Sequence, residues 1–161
     1  MLNVFLVIFA FSFMEFVAWF SHKYIMHGFL WKWHKDHHIN DHSRKEGEVN
    51  KHFEKNDLFF LIYATPAIVL LIVGLFMHFG PLVAIGIGIT IYGFTYFSIH
   101  DVAIHQRLPI AMFKILRGKY FVALLNAHQG HHRPKNKTDF DSYGLLIFPF
   151  RYLKSAKSKE S

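Results

Sequence analysis

The sequence predicts an all-α fold: an integral membrane helical bundle of about three spans, with a cytoplasmic, helical, histidine-rich cap. Three observations predict it. Uncharged apolar stretches are long enough to cross a bilayer, Lys and Arg are confined to two blocks, and the chain holds 13 His, ten of them at regular spacings, but no Cys.

The apolar stretches come first. The chain is 52% hydrophobic, with 19 Phe and 7 Tyr, a composition that favours a membrane protein. No charged residue occurs from Leu58 to Ile99, a stretch too long for one span of ~20 residues and sufficient for two. Gly80-Pro81 interrupts it where a tight hairpin belongs. Residues 2–20 form another apolar run, broken only by Glu15. It has no basic segment ahead of it and no small-residue cleavage site behind it, so a span is expected rather than a signal peptide. The spans are therefore expected near 2–20, 58–77 and 82–99, in a single domain covering 1–161. Residues 21–57 and 100–153 would be interfacial or cytoplasmic, 40–56 a polar loop within them, and 154–161 a frayed tail.

Charge orients the bundle. All 18 Lys and Arg lie between Lys23 and Lys55 or between Arg107 and Lys159. Basic loops stay in the cytoplasm, so both blocks are expected there. Residues 108–127 are mostly apolar but carry Lys114, Arg117 and Lys119, which favours an interfacial pair of amphipathic helices over a fourth span. The net charge of +7 does not indicate a nucleic-acid binder, because no basic stripe is interleaved with exposed aromatics.

The histidines carry the chemistry. Ten fall into four motifs: His22-x4-His27, His34-x2-His37-His38, His100-x4-His105 and His128-x2-His131-His132. One HxxHH is expected roughly 0.08 times at this histidine content, so a duplicated HxxxxH/HxxHH series is no accident of composition. A helix advances about 100° per residue, which puts His34, His37 and His38 on one face and His128, His131 and His132 on another. The HxxxxH spacing is less simple. On a regular helix His22 and His27 lie about 140° apart, so they serve different ions or the helix breaks, as Gly28 would allow. The charge-derived topology puts all ten on one membrane face, where they are expected to bind two ions. Lone His42, His52 and His78 read as ordinary polar residues. Asp36 and Asp101, inside the motifs, are candidates to orient ligating imidazoles. Glu15 is a third such candidate, since a carboxyl inside a span is costly and lies two helical turns before His22.

Imidazole-rich sites suit Fe, Cu, Ni or Zn, and without Cys no thiolate site is available. Metal transport places its ligands near mid-membrane, whereas these lie at span ends, which favours an enzyme acting on a lipid-like substrate with O2.

The four-motif series resembles the fatty acid hydroxylase superfamily of membrane non-haem iron enzymes, and within it the β-carotene 3-hydroxylases. The resemblance is carried by HKYIMHGFLWKWHKDHH (22–38), FEKND (53–57), HDVAIHQRLP (100–109), NAHQGHHRPK (126–135) and DSYGLLIFP (141–149), and spans about 22–150. It implies two Fe ions held by the ten histidines, with Zn able to replace them in a purified sample. It implies O2 as co-substrate, and a ferredoxin with its reductase as electron donor. The substrate would be β-carotene, hydroxylated at C3 of each ring through β-cryptoxanthin to zeaxanthin. The expected seat is a bacterial inner membrane, with the metal site on the cytoplasmic face. Phe16, Trp19, Phe20, Phe94, Tyr96 and Phe97 are candidate carotenoid contacts beside the span ends. Arg107, Lys114, Arg117, Lys119, Arg133, Lys135 and Lys137 would draw an acidic ferredoxin or anionic headgroups. Other readings are a carotenoid ketolase, a fatty acid hydroxylase, a desaturase, or a non-catalytic metal-binding membrane protein.

Overall fold

The structure is a computed structural model that describes residues 1–43, 53–108, 118–134 and 140–156. Its described elements are helical throughout. Helix α1 (Leu2–Phe20) runs directly into a π-helix, Ser21–Phe29, and α2 (Trp31–Ser43) follows. A single 3₁₀ turn, Lys55–Asp57, leads into α3 (Leu58–Phe76), and α4 (Gly80–Tyr96) continues into a second π-helix, Phe97–Ile104. Helices α5 (Lys119–His132) and α6 (Phe150–Ser155) complete the cap.

Three helical stretches are long and apolar enough to cross a membrane: Leu2–Phe29, Lys55–Phe76 and Gly80–Ile104. The protein is thus a membrane protein. Exposed Phe, Leu, Ile and Val side chains cover their outer faces, for example Phe5, Phe9, Leu61, Ile72 and Phe94. The interior faces are lined instead by small residues, which let helix backbones approach where lipid offers no hydrophobic drive to associate. A Cβ added at Gly86 would meet Leu71 Cγ at 2.8 Å, and one added at Gly88 would meet the Val7 carbonyl oxygen at 2.5 Å. Residues two apart on a helix face nearly opposite ways. Gly86 therefore admits α3 and Gly88 admits α1, and α4 is the central helix of the three.

The turn between α3 and α4 falls on Met77–Phe79, with His78 at a positive φ of 53°. Gly80-Pro81 is not the turn itself, because Pro81 sits in the first turn of α4, where its missing N–H leaves no bond unmade. Helices α1 and α4 begin at one level: a Cβ on Gly80 would lie 2.9 Å from Asn3 Nδ2. His22 and His100 are equally far along their helices, about 30 Å at 1.5 Å per residue. That rise matches the hydrocarbon thickness, so both emerge together at one face of the apolar layer.

Three expectations need adjusting. Residues 40–56 are not all loop: α2 extends to Ser43, and residues 53–57 fold into an ordered turn with Glu54 buried. Helix α6 reaches Ser155 within the range expected as a tail, and residues 157–161 lie outside the described residues. Of the apolar segment 108–127, residues from Lys119 onward form α5, whose buried face includes Ala123, Leu124 and Ala127; residues 109–117 lie outside the described residues.

Candidate metal centre

The HxxxxH motifs sit on the two π-helices, and that placement answers the spacing question. A π-helix hydrogen-bonds residue i+5 back to residue i. His105 N–H donates to the His100 carbonyl at 2.9 Å, and Leu30 N–H to the Ile25 carbonyl at 3.0 Å. The widened turn stacks side chains five apart on one face. His22 and His27 thus come together, ring centroids 5.1 Å apart, as do His100 and His105 at 4.6 Å. The chain does break at Gly28 (φ −95°, ψ −121°), but after His27 rather than between the pair.

Helices α2 and α5 bring the HxxHH motifs against these pairs. Two groups result. In one, His22, His27, His34, His38 and His131 offer nitrogens that all lie within 4.8 Å of one another. In the other, His37, His100, His105 and His128 do the same. His132 is buried at their junction, its ring 4.3 Å from that of His38, 4.6 Å from His128 and 4.9 Å from both His37 and His105. Each motif series is divided: α2 sends His34 and His38 to one group and His37 to the other, and α5 sends His131 and His128 apart. The α1 pair joins the first group and the α4 pair the second.

Hydrogen bonds fix the tautomers. A carbonyl oxygen only accepts, so a ring nitrogen facing one must carry the proton. His22 Nδ1–H donates to the Tyr143 carbonyl at 2.9 Å and His131 Nδ1–H to the Asp141 carbonyl at 2.7 Å. His34 Nδ1–H donates to the Asn56 side-chain oxygen at 2.7 Å. In neutral rings this leaves the Nε2 atoms as bare lone pairs. Yet His22 Nε2 and His34 Nε2 approach to 3.0 Å. Two lone pairs that close repel unless a cation lies between them. The separation is also about that of two nitrogens at right angles around an ion ~2.1 Å away. His37 has the same form: Nδ1–H donates to Glu54 Oε2 at 2.9 Å, while buried Nε2 has no hydrogen-bond partner among the described residues. The donor set fits a pair of transition-metal ions.

Burial keeps the cap histidines neutral, the form that ligates. It pushes the His34 pKa down to about 4, although the Asn56 bond works the other way, and the His131 pKa down to about 3, with neighbouring His34 adding to the effect. His37, His38, His128 and His132 are also driven well down, by burial first and by mutual repulsion of neighbouring imidazoles second.

The carboxylates form their own network. Arg107 Nη2 donates to Glu54 Oε2 at 2.7 Å and Nη1 to Asp57 at 2.9 Å. Asp101 lies 3.6 Å from Arg107 Nε and 3.5 Å from His100 Nδ1. Asp36 acts on backbone instead, accepting from His37 N–H and Lys55 N–H at 3.0 Å each. Glu15 reaches no histidine ring; it accepts from Tyr92 O–H at 2.7 Å and from the Leu146 and Ile147 amides at 2.8 Å. Of the aromatic candidates, Tyr96 stacks near His100 at 4.6 Å, Trp19 is half-buried, and Phe16, Phe20, Phe94 and Phe97 face out of the bundle. Arg107 is engaged with carboxylates rather than presented on a basic face. Lys119 and Arg133 are exposed, and Lys114, Arg117, Lys135 and Lys137 lie outside the described residues. His78 is an exposed hairpin residue, and His52 lies outside the described residues.

The roles of Glu54, Asn56 and Arg107 were not read from the sequence, although Glu54 and Asn56 lie in the FEKND element and Arg107 in HDVAIHQRLP. Nothing in their spacing ties residues 54–56 to histidines some twenty positions earlier.

The fatty acid hydroxylase family profile matches residues 7–150. The chain belongs to the fatty acid hydroxylase family. It is 39% identical over 146 residues to a beta-carotene hydroxylase of Pseudescherichia vulneris, covering 91% of this chain and 77% of that protein. It is 40% identical over 136 residues to a beta-carotene hydroxylase of Pantoea ananas, covering 84% of this chain and 71% of that one. A chloroplastic beta-carotene hydroxylase 1 of Capsicum annuum is 38% identical over 140 residues, covering 84% of this chain and 40% of that protein. No solved structure matches. As a member of this family the protein is a hydroxylating oxidoreductase.

Proposed function

We propose that this membrane hydroxylase adds a hydroxyl group at C3 of each β-ring of β-carotene, passing through β-cryptoxanthin to zeaxanthin. The observation that carries the reading is the pair of convergent histidine groups at the ends of two apolar helices, in a chain similar over most of its length to proteins named beta-carotene hydroxylases. Each turnover consumes O2, two electrons and two protons; one oxygen atom enters the C–H bond and the other leaves as water. His22, His27, His34, His38 and His131 would hold one iron and His37, His100, His105 and His128 the other, with His132 at the junction. Two ions bound there would supply O2 activation.

The protein's own part is positioning. Backbone carbonyls and Glu54 hold the ring nitrogens in one tautomer, burial keeps His34, His37, His38, His128, His131 and His132 neutral, and the helix ends bring the cap to the edge of the apolar layer, where a rigid polyene dissolved in the bilayer can present one ring. A symmetric substrate then needs release and reversal before its second hydroxylation. We place the cap on the cytoplasmic face of a bacterial inner membrane, because Lys and Arg flank it, with electrons from a ferredoxin and its reductase. Expression in a host that makes β-carotene tests the reading. Zeaxanthin with β-cryptoxanthin appearing early is expected; a keto product, or unchanged carotenoids beside altered fatty acids, would overturn it.

A further inference from the structure

Glu15 is a carboxyl buried in the middle of the first span, and no histidine touches it. A charged or polar group at that depth is costly unless fully partnered. Its partners are specific. Oε1 accepts both the Leu146 and Ile147 amides at 2.8 Å, and Oε2 accepts Tyr92 O–H at 2.7 Å. The segment it grips is not helical. It is the irregular stretch 140–149, which meets α1 across more than 130 positions of sequence. Gly144 makes the grip possible, since a Cβ there would meet Glu15 Oε1 at 2.8 Å and the Ile147 carbonyl oxygen at 2.6 Å. Ser142, buried at φ 57°, turns the chain. At its other end the same stretch is tied to α6 through the Asp141 carboxylate, which pairs with Arg151 and accepts from Tyr152 O–H. Between the two anchors lie the Asp141 and Tyr143 carbonyls, which receive His131 Nδ1–H and His22 Nδ1–H.

We propose that Glu15 is a positioning residue for the five-histidine group: it clamps the 141–147 loop from within the span and thereby fixes the tautomer and aim of His22 and His131. The proposal rests on the reading of that group as a metal site. Partners of this kind, one step removed from the metal, typically change affinity by 10–100-fold when lost. The two loop carbonyls receive His22 and His131, both members of the five-histidine group, so the effect falls first on one ion of the two.

Metal-free full-length protein in detergent, titrated with Co²⁺ and followed by its visible d–d absorption, tests this. Wild type should take up two ions. Glu15→Ala should weaken one of them by about 10–100-fold and shift its absorption band, leaving the other unchanged. Glu15→Gln should restore binding, because an amide oxygen accepts from the same two backbone amides. Tyr92→Phe removes a bond of the same carboxyl without touching the loop. It should lower thermal stability and leave both affinities intact. Should Glu15→Ala fail to fold, Gly144→Ala loosens the same grip from the loop side and must reproduce the selective loss. Wild-type affinity in Glu15→Ala, or equal losses in Glu15→Ala and Tyr92→Phe, would overturn the proposal alone. A wild-type chain that takes up no Co²⁺ would overturn the metal reading and the proposal with it.

Discussion

The five-histidine group takes its outer hydrogen bonds from neutral oxygens, the Tyr143 and Asp141 carbonyls and the Asn56 amide, whereas the four-histidine group has carboxylates beside His37 and His100. The turn at 53–57 serves both groups, reaching His34 through Asn56 and His37 through Glu54. Charge-assisted hydrogen bonds are roughly twice as strong as neutral ones, and a carboxylate partner raises the basicity of the imidazole it holds. The repeat of motifs thus does not make two equal histidine groups. The four-histidine group is the more electron-rich, and Arg107 offsets part of that negative charge by bridging Glu54, Asp57 and Asp101.

Removing a ligand should have the largest effect. His37→Ala should reduce hydroxylation by at least about 100-fold and leave close to one bound ion per chain, measured by product formation and elemental analysis. Unchanged metal content would break the division into two groups. Stripping both ions comes next. A ligand present at a thousand times its dissociation constant stabilises by about 4 kcal/mol, so chelation should lower the melting temperature clearly, the more so because lone pairs such as those of His22 and His34 are then left facing each other.

The substitutions that sharpen the comparison are smaller. Glu54→Gln keeps an oxygen for His37 but loses the charge, and should weaken the second ion by about 10–100-fold. Asn56→Ala removes a neutral partner and should cost the first ion less than that. Equal losses would mean that charge plays no part in the difference. Arg107→Lys should be mildest for metal uptake, costing about 1–3 kcal/mol of stability as the two-pronged contact to Glu54 and Asp57 is lost, readable by thermal melts.

The sequence carried the bundle because spans are long-range patterns. The uncharged run from Leu58 to Ile99 and the two Lys/Arg blocks survive any local detail. It carried the ten histidines because their spacing is periodic. It did not carry the π-helices. HxxxxH reads as a misfit on an α-helix, and only the bonded geometry at His100–His105 reveals a wider turn that suits it. Nor did it carry the outer partners. Tyr143 and Asp141 act through backbone carbonyls, which any residue possesses, so no side-chain pattern marks them. Glu15 stood out as a polar residue in a span, but its partners lie between 77 and 132 positions away along the chain and its direction could not be read from helical spacing to His22.

Mössbauer spectroscopy of full-length protein reconstituted with ⁵⁷Fe tests most directly whether two metal ions occupy unequal histidine groups. Two quadrupole doublets of equal area, one of them altered by Glu54→Gln and the other by Asn56→Ala, are the expected result. A single doublet from one iron per chain, or one doublet that both substitutions shift alike, would contradict two ions in unequal groups.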